Sequence, residues 1–291
     1  MRLKSTYLLL DGTSWERGEK KYHFITLCVV YKEVAIPIYW EDLNKKGTSN
    51  FKERKRLFKK AFKYFNFEDK ILLADREYIG LEWFKFLNDN NIKFVIRLKK
   101  KVYKSYIDQA EGRRYSCITS KIRSSKCAKK CLSKRFKMDR MTYTFVAVKN
   151  PKNEPKDPVI YLLSNMDLPA KKIANMYPIR WKIEHCFKLL KSSGFHLQQL
   201  NLKGKPKCKL LMAITVFSYV IAINEGLKDY DKVPIKVFKD KTEAKEKSVF
   251  RNGMDKIIKY IASTLIFCQY LIHEIQQAAK LKKSKYAILK T

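Results

Sequence analysis

The residues best equipped for chemistry are acids that stop apolar runs. Asp11 follows YLLL and opens DGTSW, and Asp75 follows ILLA and opens DREYIG. Each reads as an acid delivered at the end of a buried strand. A third acid, Glu184, lies in YPIRWKIEHCFKLLK, where at about 100° per residue Arg180, Glu184 and Lys191 fall within about 40° of one another on a helix. Ile179, Ile183, Phe187 and Leu190 form the adjoining apolar stripe, so this polar row borders the buried surface. Taken singly, Asp11 is a turn residue and Glu184 a surface helix acid. Together they supply what hard divalent cations need: Mg²⁺ takes oxygen ligands and one or two carboxylates per ion, and two ions ~4 Å apart clamp the attacking and leaving oxygens of a phosphodiester.

Such acids need a scaffold, and the flanking sequence outlines one. After the first run come two β-type segments, YHFITLCVVY from Tyr22 and VAIPIYW from Val34, joined so briefly that the three must form an antiparallel meander. Phe51 to Phe65 carries Leu57, Phe58, Ala61, Phe62 and Phe65 at helical spacing, with Ser49 or Asn50 as its cap. The strand from Ile71, a helix from Leu81 to Asn88 and the strand KFVIRLK from Lys93 complete a mixed α/β sheet. From Lys99 to Pro158 the pattern becomes short strand-like pieces, YSCITSKI, KRFKM and MTYTFVAV, read as a β-rich insertion. PVIYLLSN then rejoins the sheet. Pro178 suits the first turn of the helix bearing Glu184, which makes Tyr177 its cap. The expected division is a core over 1–98, the insertion over 99–157, the rest of the core with the Glu184 helix over 158–226, and a basic helical region over 227–291.

Charge defines the partner. Sixty-three Lys and Arg against 28 Asp and Glu leave a formal +35. Phosphate contacts by such residues release condensed counterions, so nucleic acid is the expected polyanion. The 7 cysteines form no framework and suit a reducing cytoplasm, and Cys127 and Cys131 have no nearby His to complete a zinc site. The opening residues lack a signal peptide's apolar segment, and the apolar run Leu210 to Ile223 is shorter than the ~20 residues of a membrane span, so no membrane partner is expected.

The chain resembles the transposases of the insertion-sequence-4 family, in the DDE group built on an RNase H-like fold. That family's signature, Tyr-x2-Arg-x3-Glu-x6-Lys, is matched by Tyr177, Arg180, Glu184 and Lys191. LLLDGTSW, ILLADREYIG and KSVFRNGMDKI are similar to further family blocks. The resemblance implies Asp11, Asp75 and Glu184 as a metal-binding triad for two Mg²⁺ ions, with Mn²⁺ as a substitute. It implies Tyr177, Arg180 and Lys191 as phosphate contacts, double-stranded DNA as substrate at transposon ends and target, a homodimer in the DNA complex, and a nucleoid-associated cytoplasmic location. The expected reaction is cut-and-paste transposition. The alternatives are a DNA-binding remnant that does not transpose and a structure-specific nuclease of the same fold. Members carry a helical end-recognition domain before the first acid, where ten residues stand here, so the address reader is expected to be absent. Tyr103, Tyr106 and Tyr115 are candidates for base stacking, with burial against the sheet as the competing reading, and Trp83 is read as core.

Overall fold

The computed structural model describes residues 6–17, 20–45, 47–111, 120–125, 130–138, 140–150, 157–197, 204–238, 241–263, 265–273 and 275–276. Tyr115, Cys127 and the basic tail from Lys280 lie outside them. The chain divides into two units, Lys4–Asn201 and a second built from Leu202–Thr291.

The first unit is organised by one eight-stranded sheet. Its strands are β1 (Tyr7–Arg17), β2 (Lys20–Tyr31), β3 (Val34–Asp42), β4 (Ile71–Ala74), β5 (Lys93–Leu98), β6 (Cys131–Met138), β7 (Met141–Lys149) and β8 (Val159–Ser164). They lie in the order β3-β2-β1-β4-β5-β8-β7-β6. β1, β4 and β5 run parallel at the centre and the flanking pairs are antiparallel. This is the mixed α/β sheet expected from the sequence. Leu9, Leu10, Leu72, Leu73, Ala74, Val95 and Ile96 are fully buried, as centre strands covered on both faces must be.

The sheet departs from the sequence reading in two places. β1 does not stop at Asp11: it continues to Arg17 because its ladder with β2 persists, Asp11 facing Thr26. Its parallel ladder with β4 ends at Leu10 and Ala74, so Asp11 and Asp75 each follow the last shared rung. Between 99 and 157, the segment Lys100–Glu111 is a helix (α3), and β6 and β7 extend the main sheet from the edge of β8. Tyr103 is buried on that sheet, its ring 4.3 Å from Tyr161.

α1 (Phe51–Ala61) starts at a capping box in which Asn50 accepts from the Glu53 amide at 3.0 Å and Glu53 accepts from the Asn50 amide at 2.7 Å. It ends four residues before Phe65, and Phe62 turns onto Phe67 with ring centroids 5.6 Å apart. α2 (Leu81–Asp89) buries Trp83 against Phe58 and Phe86, which makes it a core residue. The helix bearing Glu184 begins earlier than expected, at Ala170 after Pro169: α4 (Ala170–Met176) passes through a 3₁₀ turn at Tyr177–Arg180 into α5 (Trp181–Lys188) and a π turn at Leu189–Ser193. Tyr177 is therefore interior, not a cap. Pro178 has no N–H to offer the Ala174 carbonyl, and the chain tightens there instead of breaking.

The second unit pairs α6 (Lys205–Leu227) with α7 (Val249–Ile261), beside a two-stranded sheet of β9 (Ile235–Val237) and β10 (Glu243–Lys245). The sequence reading carried the core to 226, but α6 packs along α7 at Gly226 and Gly253. A Cβ on Gly253 would stand 1.7 Å from the Ala222 carbonyl oxygen. α6 extends beyond the apolar run at both ends, and over Pro206–Leu227 it is long and apolar enough to cross a membrane by length and composition alone.

Candidate active site

Asp11 is the hub of the site. Its side chain is 18% exposed, Oδ1 accepts from the Gly12 amide at 2.8 Å, and Oδ2 accepts from Arg180 Nη1 at 3.2 Å. The other arm of the same guanidinium, Nη2, donates to Glu184 Oε1 at 2.5 Å. Arg180 thus ties an acid of the sheet to an acid of the helix. Tyr177, one helical turn earlier, donates from its hydroxyl to Asp75 Oδ1 at 3.1 Å. The 3₁₀ turn that contains Pro178 sets Tyr177 and Arg180 three residues apart on one side, Tyr177 reaching Asp75 after β4 and Arg180 reaching Asp11 within β1. Lys191, in the π turn, is half-buried and feels the charge of Asp11. All six residues singled out from the sequence therefore converge where the β1–β4 ladder ends.

The electrostatics follow from crowding acids at a buried point. Burial pushes the Asp11 carboxyl up to about 6. Arg180 and the Gly12 amide oppose the rise, and the charges of Asp75 and Glu184 add to it. Burial alone would disfavour the Arg180 cation, but Tyr177, Asp75, Asp11 and Glu184 outweigh it and hold its pKa above the ordinary value. Burial raises the Tyr177 hydroxyl, which stays protonated and able to donate. Burial also lowers Lys191, against the pull of Asp11. Arg180 Nε is buried with no hydrogen-bond partner.

Among the described residues, no group of three or more His, Cys, Asp or Glu side chains is arranged to hold a metal ion. Arg180 is the cation that Asp11 and Glu184 share. The donor set nonetheless fits a hard divalent ion, since all three acids offer carboxylate oxygens.

Three supporting residues escaped the sequence reading. Arg54, on the buried face of α1, donates to Ser49 Oγ at 3.0 Å, to the Ser49 carbonyl at 2.5 Å and to the Glu77 carbonyl at 2.9 Å, and lies 5.1 Å from the Tyr78 ring centroid. It clamps the turn that leaves Asp75, itself closed by the Tyr78 amide donating to the Asp75 carbonyl at 3.0 Å. A signal was available: Arg54, Leu57, Phe58 and Ala61 fall at i, i+3, i+4 and i+7, so a cation sits in the apolar stripe. His23 and Tyr78 stand over Gly12, where a Cβ would meet His23 Nε2 at 3.1 Å and the Tyr78 hydroxyl at 3.6 Å. Burial, more than the nearby lysines, lowers the His23 pKa and keeps its ring neutral at pH 7.

A family model described as the transposase DDE domain matches residues 3–221. No curated protein matches the chain. Among solved structures, a piggyBac transposase captured as a synaptic complex with hairpin DNA is similar in fold, with a TM-score of 0.50 and 13% identity over 86% of this chain and 51% of that one. The chain thus spans about half the length of that protein. The NurA nuclease from Sulfolobus solfataricus is matched at 10% identity over 73% of this chain and 79% of its own, but its TM-score of 0.29 is too low to argue from.

Proposed function

The chain belongs to the transposase DDE-domain family, and we propose that it cuts DNA at the ends of a mobile element and joins those ends to a target duplex. In the first step water attacks phosphorus and the P–O3′ bond breaks, leaving a 3′-hydroxyl and a 5′-phosphate. In the second, that 3′-hydroxyl attacks a phosphorus of the target strand and displaces the target's own 3′-oxygen. The family works with divalent metal ions. Two Mg²⁺ ions, or Mn²⁺ in their place, held by Asp11, Asp75 and Glu184, would stabilise charge on the attacking and leaving oxygens.

The observation that carries this reading is the span of Arg180 across Asp11 and Glu184. A guanidinium bridging two acids holds them facing one another. Tyr177 positions Asp75 and presents a protonated hydroxyl, while Lys191 adds a cation beside Asp11. The +35 charge supports a DNA substrate and a place at the nucleoid. Work on two ends at once favours a homodimer on DNA. The test is duplex nicking and strand transfer with added Mg²⁺. Asp11→Asn, Asp75→Asn and Glu184→Gln should each abolish both while leaving duplex binding intact. Nicking without any joined product would reassign the chain to a nuclease, and binding without nicking would leave it a DNA-binding remnant.

A further inference from the structure

Beside the acids lies a cavity of about 380 Å³, and half of its ten described lining residues are cations. Arg76, Arg97, Lys99, Lys100 and Arg123 face it, and Asp157 is the acid among its described lining residues. Arg97 is bonded to Asp157, and Arg76 Nη1 stands 3.9 Å from the same carboxylate oxygen. One carboxylate does not balance five cations. Lys99 and Lys100 also sit at the start of α3, whose first turn contains no acid and whose free N–H groups already carry positive charge. Cations clustered in a concave wall focus a positive potential that attracts an anion.

We propose that this cavity is a phosphate-binding subsite for the DNA strand that enters the active site, and that Asp157 is an internal stand-in for that phosphate. The inference rests on the transposase reading and adds a location to it. The occupant's chemistry follows from the walls: guanidinium forks match the oxygens of a phosphodiester, and lysines add mobile positive charge. Its placement follows from the chain: Arg76 is the residue after Asp75, and Arg97 is near enough to Tyr177 to act on its hydroxyl. A strand held in the cavity is therefore held next to the acids. When the phosphate enters, Asp157 gives up its guanidinium partners, so it competes with DNA.

The test is fluorescence anisotropy of a labelled mixed-sequence duplex titrated with the whole chain at several KCl concentrations. Lys100→Gln with Arg123→Gln, both at exposed positions, should lower the slope of log K against log salt by about 1.8, two contacts at roughly 0.9 each. Asp157→Asn should do the opposite to affinity, tightening binding several-fold, an effect that general loss of structure would not produce. An unchanged slope in the double variant together with an unchanged Kd in Asp157→Asn, while wild type binds duplex well, would overturn the subsite and leave the transposase reading standing. Failure of the wild-type chain to bind duplex at all would overturn both. Inorganic phosphate is the second probe: if it alone raises the urea midpoint through Arg123 while the duplex slopes stay unchanged, the cavity is a free-anion site and the DNA assignment is wrong.

Discussion

Arg180 and Asp11 lie 169 positions apart in the chain and meet at 3.2 Å, with the Arg180 side chain 5% exposed and that of Asp11 18%. This pair fixes the helix bearing Glu184 against the end of the β1–β4 ladder. Removing a cation from a buried pair leaves the acid uncompensated, which costs more than the pair itself contributes. Arg180→Met should therefore destabilise the protein by on the order of 3 kcal/mol at neutral pH. Urea unfolding measures it. The double variant with Asp11→Asn should recover a large part of the loss, because no charge is then stranded. A single variant as stable as wild type would mean the pair is idle.

Asp11 also predicts a pH dependence. An acid whose folded-state pKa is raised from 3.8 to about 6 favours the fold when protonated; that contribution is complete below about pH 4 and is lost as pH rises through about 6. Asp11→Asn keeps a neutral side chain at every pH. It should match wild type near pH 4 and exceed it by on the order of 2 kcal/mol above about pH 7. Urea midpoints across that range give the comparison. A stability difference that does not change with pH contradicts the assignment.

Metal should act on the same balance. Millimolar Mg²⁺ binds ionised acids in the folded state and raises stability by mass action. Wild type should gain in urea midpoint above about pH 7, whereas Asp11→Asn and Glu184→Gln should gain little. An equal gain in all three proteins would place the ions elsewhere on the surface.

The acids at the strand ends were legible because burial has a simple signature: an apolar run that ends abruptly at a charge. The row Tyr177, Arg180, Glu184 and Lys191 was legible from helical spacing. The continuation of β1 was not, because past Asp11 its sequence DGTSWER carries no apolar alternation and the strand is held by its ladder to β2. Tyr177 looked like a cap because Pro178 suits a first turn. Nothing local showed that α4 precedes it and absorbs the missing hydrogen bond in a 3₁₀ turn. The bonds from Arg180 to Asp11 and from Tyr177 to Asp75 join distant segments, and periodicity reports which face is buried but not what it meets.

The crossing of α6 and α7 predicts a local failure. A Cβ on Gly253 would stand 1.7 Å from the Ala222 carbonyl oxygen, and one on Gly226 would stand 1.9 Å from that of Val249. Both obstacles are backbone, which cannot rotate away. Gly253→Ala should force the helices apart and cost about 1–3 kcal/mol, the usual range for overpacking. Hydrogen exchange should then show lost amide protection in Lys205–Leu227 and Val249–Ile261. Unchanged protection in both helices would contradict the close crossing.

The last prediction concerns Arg54, which reaches none of the three acids by hydrogen bond yet holds the turn after one of them. The residue is 5% exposed, and its guanidinium engages Ser49 and the Glu77 carbonyl with the Tyr78 ring beneath it. Asp75 is followed directly by that turn, so the clamp limits where its carboxylate can move. Arg54→Lys keeps the charge but loses the planar fork that serves several acceptors at once. Because an ångström of misplacement in a reacting group costs on the order of 100-fold, the variant should cut metal-dependent nicking by about 10- to 100-fold. Duplex affinity should stay within about twofold, since its salt-dependent part comes from surface cations that are untouched. The discriminating measurement is nicking against Mg²⁺ concentration: a loosened Asp75 should shift the half-saturating Mg²⁺ upward, whereas a general loss of folded protein lowers the maximum without shifting it. A lowered maximum at an unchanged midpoint would make Arg54 a stability residue only, and its bonds to Ser49 and Glu77 would then bear on the fold and not on the site.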